Sequence, residues 1–242
     1  MRTLNFANRN FKEIIRDPLS LIFAILLPLF LLFIFQQFKI PSEVYQLENF
    51  TPGIIIFGFS FITLFTATLI AKDRSTSLLI RLGTSPMKPI EYILGYTLAV
   101  IPMVIIQNIL FFIVAILLGL TFSINVIYTI LITIPISVLF IALGIFIGCI
   151  TNEKSASGVS SVVVQLVAFT SGMYFSADMV GDFFAKLCNI LPFSRCVDIT
   201  KGILNNNYDK LGENCLILIV YIAVVVFISM LIFRKKMVSD NK

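Results

Sequence analysis

The chain has 242 residues, of which 58% are hydrophobic and 13% charged, with a mean hydropathy of +1.00. Globular soluble domains carry about 25% charged and about 45–50% apolar residues, so composition excludes a soluble enzyme, a nucleic-acid-binding module and a disordered scaffold. The net charge of +5 and the pI near 9.1 fit basic residues gathered on one side of a membrane better than a nucleic-acid partner.

The charges are also confined. No Lys, Arg, Asp or Glu occurs in 18–38, 49–71, 92–152, 155–177 or 214–233. A helix needs about 20 apolar residues to cross roughly 30 Å of hydrocarbon. Four intervals therefore hold one span each, and the longest, interrupted by Leu120-Thr-Phe-Ser-Ile-Asn125, holds two. The pattern predicts an all-α membrane protein with six transmembrane helices at about 19–38, 52–71, 92–119, 126–150, 158–177 and 214–233. A β-barrel would alternate over segments of about 10 residues, whereas these runs are continuously apolar. Pro102 and Pro135 predict kinks or tilts in the third and fourth spans. The first apolar run is too long for a cleavable signal and has no small-residue cleavage site.

Three non-spanning pieces read as structured. Residues 4–16 place Leu4, Ala7, Phe11, Ile14 and Ile15 on one helical face, with Arg9, Lys12, Glu13 and Arg16 largely on the rest. That is an amphipathic helix on the inner membrane surface, ended at Asp17-Pro18, where proline opens the first span; a solvated basic tail is the alternative. The segment 72–91 opens polar at Lys72-Asp-Arg74 and carries a short helical stretch from Leu78 to Leu82. Gly83 stops that stretch, and Pro86 and Pro89 keep it from resuming. Twenty residues exceed what a connector needs, so this cytoplasmic loop reads as a docking element. Asp73 and Glu91, at its ends, sit where solvation is easy and a relay role is not expected. On the other side, 178–213 repeats Phe183, Phe184, Leu187, Ile190 and Leu191 at helical spacing until Pro192 breaks the pattern. A second short amphipathic helix then runs from Phe193 to Leu204. The expectation is a shallow helical hairpin in the outer leaflet over 178–204, the alternative an ordinary extracellular loop.

Counted over alternate sides, 13 basic residues fall in 1–18, 72–91, 151–157 and 234–242, and 5 in 39–51, 120–125 and 178–213. Both termini are expected to face the cytoplasm.

The chemistry-bearing residues are sparse. There is no histidine and no G-x-x-x-x-G-K-[ST] string, which argues against His-ligated zinc, a Ser-His pair and a P-loop. Cys149, Cys188, Cys196 and Cys215 lack metal-ligand spacing, although Cys188 and Cys196 share the outer segment and pairing is open. No ionisable residue falls inside a span, which speaks against an ion-coupled carrier. Gly144-x-x-x-Gly148, Ala115-x-x-x-Gly119 and Ala168-x-x-x-Gly172 suit close helix packing within the subunit. The 24 phenylalanines read as lipid-facing or core packing rather than a substrate path.

Taken together, the N-terminal amphipathic helix, six spans, helical loop after the second span and outer hairpin before the sixth resemble the membrane (permease) subunit of type-2 ABC exporters. Asn10-Phe-Lys-Glu-Ile-Ile-Arg-Asp-Pro-Leu19 looks like that family's approach to the first span. Lys72-Asp-Arg74 with Leu82-Gly-Thr-Ser-Pro86 looks like its coupling loop, with Asp73-Arg74 where an Arg-Glu pair is often found. Leu191-Pro-Phe-Ser-Arg195 with Gly202-Ile-Leu204 resembles its stretch before the last span. The resemblance covers nearly the whole chain as a single transmembrane domain and implies a cell-membrane permease coupled to separate cytoplasmic ATPase subunits. ATP and Mg would bind on those partners, and a second six-span subunit, identical or related, would complete the pathway. It further implies ATPase coupling through Arg9, Lys12, Glu13, Arg74, Leu78, Arg81 and Pro86, and an outer gate shaped by Phe183, Phe184 and Pro192. The expected cargo is hydrophobic or amphiphilic, a drug or antimicrobial peptide. A lipid-linked polysaccharide exporter subunit and a non-transporting membrane immunity or binding protein are the alternatives.

Overall fold

The structure, a computed structural model, describes residues 2–38, 43–76, 88–174 and 181–239. Every regular element among them is helical: α1 (Arg2–Ile15), α2 (Pro18–Gln37), a 3-10 turn (Glu43–Tyr45), α3 (Leu47–Ser75), α4 (Pro89–Leu117), α5 (Ile124–Ile150), α6 (Glu153–Thr170), α7 (Asp182–Ile190), α8 (Pro192–Leu204) and α9 (Leu211–Ser239). Among the described residues, α3, α4, α5 and the 211–235 stretch of α9 are long and apolar enough to cross a membrane, and α2 carries a shorter apolar run, Leu21–Gln37. α6, on the expected fifth span, starts five residues earlier and ends seven earlier than 158–177. It carries Ser155, Ser157, Ser160, Ser161 and Gln165 along its length and falls short of the same apolar standard.

α3 is the centre. Its side chains are apolar around the whole circumference from Phe50 to Ala71, and nearly all are buried, as expected of a helix enclosed by others. It packs against α2, α4, α5, α6 and α8. The contact with α5 is the closest, because Gly144 and Gly148 let the backbones approach. A Cβ at Gly144 would lie 2.6 Å from the Thr66 side chain, and one at Gly148 would lie 2.7 Å from the Ala67 carbonyl. Thr63 Oγ1 donates across this seam to the Phe140 carbonyl at 2.9 Å. The other two small-residue strings do not make helix seams. Gly119 and Gly172 lie beyond the ends of α4 and α6 with φ of +119° and +75°, the left-handed conformation that ends helices.

α4 starts three residues before the expected third span, with Pro89 at its first position and the Lys88 N–H donating to Glu91 Oε2 at 2.6 Å. α1 lies against α4, but its buried stripe is Phe6, Ala7, Asn10 and Ile14. Leu4 and Ile15, expected on that face, are 63% and 54% exposed. They fall on an adjacent edge of the helix, so its apolar arc divides between protein and surroundings. On the opposite side of the molecule α7 is mostly exposed, whereas α8 buries Phe193, Cys196, Val197, Ile199 and Leu204 against α3, α5 and α9. The second arm of the expected hairpin is thus part of the core. Cys188 and Cys196 are both free, buried thiols.

Gly148→Ala is expected to cost about 1–3 kcal/mol by forcing the α3–α5 seam apart. Gly158→Ala, where a Cβ meets nothing within 4 Å, should be neutral or gain up to about 1 kcal/mol from helix propensity. Thermal unfolding of the two variants in the same detergent checks the contrast.

Candidate functional site

The last turn of α3 collects the charged residues that join the fold's elements at one end. α3 runs four residues past its expected limit at 71, so Lys72, Asp73 and Arg74 are helical rather than loop residues. Successive side chains on a helix point about 100° apart, and these three go to different partners.

Asp73 turns under α1 and is fully buried. The Arg9 guanidinium meets it in parallel, Nη1 to Oδ2 and Nη2 to Oδ1, both at 2.8 Å. The Tyr96 hydroxyl from α4 donates to Oδ2 at 2.7 Å. One carboxylate therefore joins α1, α3 and α4, in the fork geometry that makes arginine–carboxylate pairs strong. Arg9 also donates to Asn10 Oδ1 at 2.7 Å and pairs with Glu13 at 2.5 Å, and Glu13 reaches Lys72 at 3.1 Å. Burial opposes the charge on Arg9, but the hydrogen bonds and charge of Asp73, with Glu13 behind them, outweigh it and raise the Arg9 pKa above its ordinary value. Phe6 completes the contact. Its ring stands edge-on to Tyr92 and Tyr96 at 5.5 and 5.0 Å, in the space left by Gly95, where a Cβ would come within 2.4 Å of it.

Arg74 turns the other way. Its Nη1 donates to the carbonyls of Gly148, Cys149 and Thr151 at 3.2, 2.6 and 3.0 Å. These are the carbonyls left over where α5 ends, and a cation there also suits the helix dipole. Ser75 Oγ donates to Glu153 Oε2 at 2.7 Å, in the first turn of α6, which Asn152 caps by accepting the Ser155 N–H at 2.9 Å. Outside the joint, a cleft of about 820 Å³ is lined by Asn5, Asn8, Arg9, Lys12, Glu13, Arg16, Asp17 and Lys72. Its lining holds four basic and two acidic side chains.

Of the residues singled out in the sequence, Arg9 and Glu13 are in the joint, Lys12 is exposed on the cleft, and Arg74 is turned inward onto α5. Leu78, Arg81 and Pro86 lie outside the described residues. Phe183 is 82% exposed, Phe184 is half-buried and Pro192 is buried at the start of α8. Asp73 corrects the expectation of an easily solvated charge, because α1 covers it. Tyr96 was not anticipated; its hydroxyl, twenty-three residues from Asp73, carries no local signal. Nor was the cluster Phe35, Tyr45, Phe50 and Tyr174 at the opposite end of α2 and α3. Tyr45 stacks on Phe35 at 5.3 Å and its hydroxyl donates to the Tyr174 carbonyl at 2.9 Å.

The apolar helices define a multi-pass membrane protein whose charged joint lies at the end of its central helix. The family model for ABC-2 type transporters matches residues 3–205, and the chain belongs to that family. It is the transmembrane component of an ABC transporter and not a nucleotide-binding domain, and members of the family work with ATPase subunits. No individual curated protein matches the sequence.

Asp73→Leu leaves Arg9 with only the Glu13 carboxylate and the buried Tyr96 hydroxyl without its acceptor, and should destabilise the chain, because a polar group left buried without a partner is costly. Arg9→Met combined with Asp73→Leu should recover part of the loss, with a coupling energy of about 1–3 kcal/mol between the sites. Unfolding midpoints of the two single variants and the double variant measure it.

Proposed function

We propose that the chain is the membrane subunit of an ATP-driven exporter, in which two six-span subunits enclose the pathway and two separate cytoplasmic ATPase chains, binding ATP and Mg, drive it. The observation that carries this reading is the Asp73 joint. A forked ion pair and a tyrosine hydroxyl tie the surface helix α1 to α3 and α4, which is what a force applied to α1 from outside the membrane would require.

In this reading α2 and α6 complete the six spans and both termini are cytoplasmic. α1 lies on the inner surface with Leu4 and Ile15 among the lipid headgroups. The cleft opens to the ATPase, and Lys12, Arg16 and Lys72 favour a partner surface rich in carboxylates. Coupling passes through Arg9, Lys12, Glu13, Arg74, Leu78, Arg81 and Pro86. A second membrane subunit is supported by α6, whose Ser157, Gly158, Ser161 and Gln165 are exposed along one edge; polar groups facing lipid are costly, and a facing subunit or a wet pathway relieves that cost. The hairpin 178–204, with Phe183, Phe184 and Pro192, shapes the outer gate. The charge-free spans favour a hydrophobic or amphiphilic cargo, a drug or antimicrobial peptide.

The test is reconstitution with the co-purifying P-loop ATPase. Asp73→Asn should leave the complex assembled while cargo-stimulated ATP hydrolysis falls by about tenfold or more, the equivalent of one charge-assisted hydrogen bond. Arg9→Asp with Asp73→Arg should restore part of it. Wild-type stimulation in Asp73→Asn would remove the joint from the coupling path, and failure of any ATPase to co-purify would overturn the reading of an exporter driven by separate ATPase chains.

A further inference from the structure

α2 is interrupted by a proline on its buried face. Among the described side chains of α2, Ala24, Pro28 and Leu32 are the buried ones, four apart, so they form a single stripe facing the bundle. Pro28 has no N–H, which deprives the Ala24 carbonyl, four residues back, of its helix hydrogen bond. In a protein interior surrounded by hydrocarbon, an unpaired carbonyl is costly.

The replacement comes from another helix. Gln107 Nε2 in α4 donates to the Ala24 carbonyl at 3.1 Å. Gln107 is fully buried, and α3 makes room for it. A Cβ on Gly58 would lie 2.5 Å from Nε2 and 2.6 Å from the neighbouring Phe111 ring. Its Oε1 has no hydrogen-bond partner among the described residues, so the bond to Ala24 is what fixes the amide, and turning the amide over would set oxygen against oxygen. The prolines inside α4 and α5 differ. Pro102 is half-buried and Pro135 exposed, and among the described residues no side chain donates to the carbonyls they free, those of Leu98 and Leu131.

We propose that Pro28 and Gln107 form a hinge and its latch. Pro28 divides α2 into two halves lacking the bond that would hold them in line, and Gln107 sets the angle between them by capturing the freed carbonyl. Gln107 is a positioning residue, and the latch is a property of this chain alone, with or without an ATPase.

A double-mutant cycle on the full chain in lipid nanodiscs tests it. Gln107→Met keeps the length of the side chain without a donor, and Pro28→Ala returns a backbone N–H to the Ala24 carbonyl. Gln107→Met should lower the unfolding midpoint by about 2–4 °C in the native background and by less than about 1 °C in the Pro28→Ala background. Spin labels at Ile22→Cys and Phe33→Cys, exposed residues on either side of the hinge and about 16 Å apart along a straight helix, read the angle in a background with the native cysteines replaced by alanine. Their distance distribution should broaden with Gln107→Met and narrow again when Pro28→Ala is added. Equal destabilisation in both backgrounds, or a label distance indifferent to Gln107→Met, would overturn the latch. If Gln107→Met does not fold, Gln107→Asn, one methylene shorter, replaces it, and failure of Pro28→Ala to rescue that variant overturns the proposal equally.

Discussion

Hydrocarbon offers polar groups no partner of its own, and α3 is where this constraint falls hardest. With its circumference buried from Phe50 to Ala71, several of its polar side chains are met by its own backbone or by a neighbouring helix, while the Thr51 and Thr66 hydroxyls have no hydrogen-bond partner among the described residues. Ser60 turns back to the Phe57 carbonyl, Thr63 crosses to Phe140, and Asp73 takes three donors from α1 and α4. The glycines of α5 narrow the same seam until no side chain fits between the backbones. A helix enclosed in this way cannot shift alone; displacing it carries its neighbours along.

The Asp73 joint gains more in placement than in net stability. Desolvating a carboxylate cancels much of what pairing returns, so an apolar replacement of both partners can be nearly neutral while loss of one is severe. What the ion pair adds over apolar packing is a fixed register. Two parallel N–H···O bonds allow one rotation of α1 about its axis, and the Phe6 ring against Gly95 fixes its position along α4. Arg9 retains 38% side-chain exposure against 1% for Asp73, so water weakens the arginine end and leaves the carboxylate end to hold.

The all-helical class was legible because charge-free runs of spanning length admit few other structures. The face of α1 was legible only in part. Amphipathicity reports the width of an apolar arc, and not which portion of it meets protein: Ala7 and Ile14 are buried, Leu4 and Ile15 are exposed, and Phe6 and Asn10 complete the buried stripe. Asp73 was misread for a related reason, since a charge next to an apolar run looks solvated until another helix lies over it. Gly144 and Gly148 face α3 as interface glycines should, but Gly119 and Gly172 satisfy the same spacing while ending helices. Gln107 and the Ala24 carbonyl are 83 residues apart, and no local pattern connects a proline in one helix with an amide in another.

The two arms leaving the end of α3 differ in kind from ordinary surface ion pairs. On one side Asp73 reaches α1 and α4; on the other, Arg74 and Ser75 reach the end of α5 and the start of α6. Arg74 grips main-chain carbonyls, which are fixed to the helix axis, rather than the tip of a long side chain free to follow it. Asp73 is held by a side chain whose rotamer is fixed by Glu13 and Asn10. Little slack remains along the line from α1 through α3 to α5. If a partner moves α1, the proposed transporter therefore responds by tilting whole helices, because the contacts at this junction do not yield before the helices do.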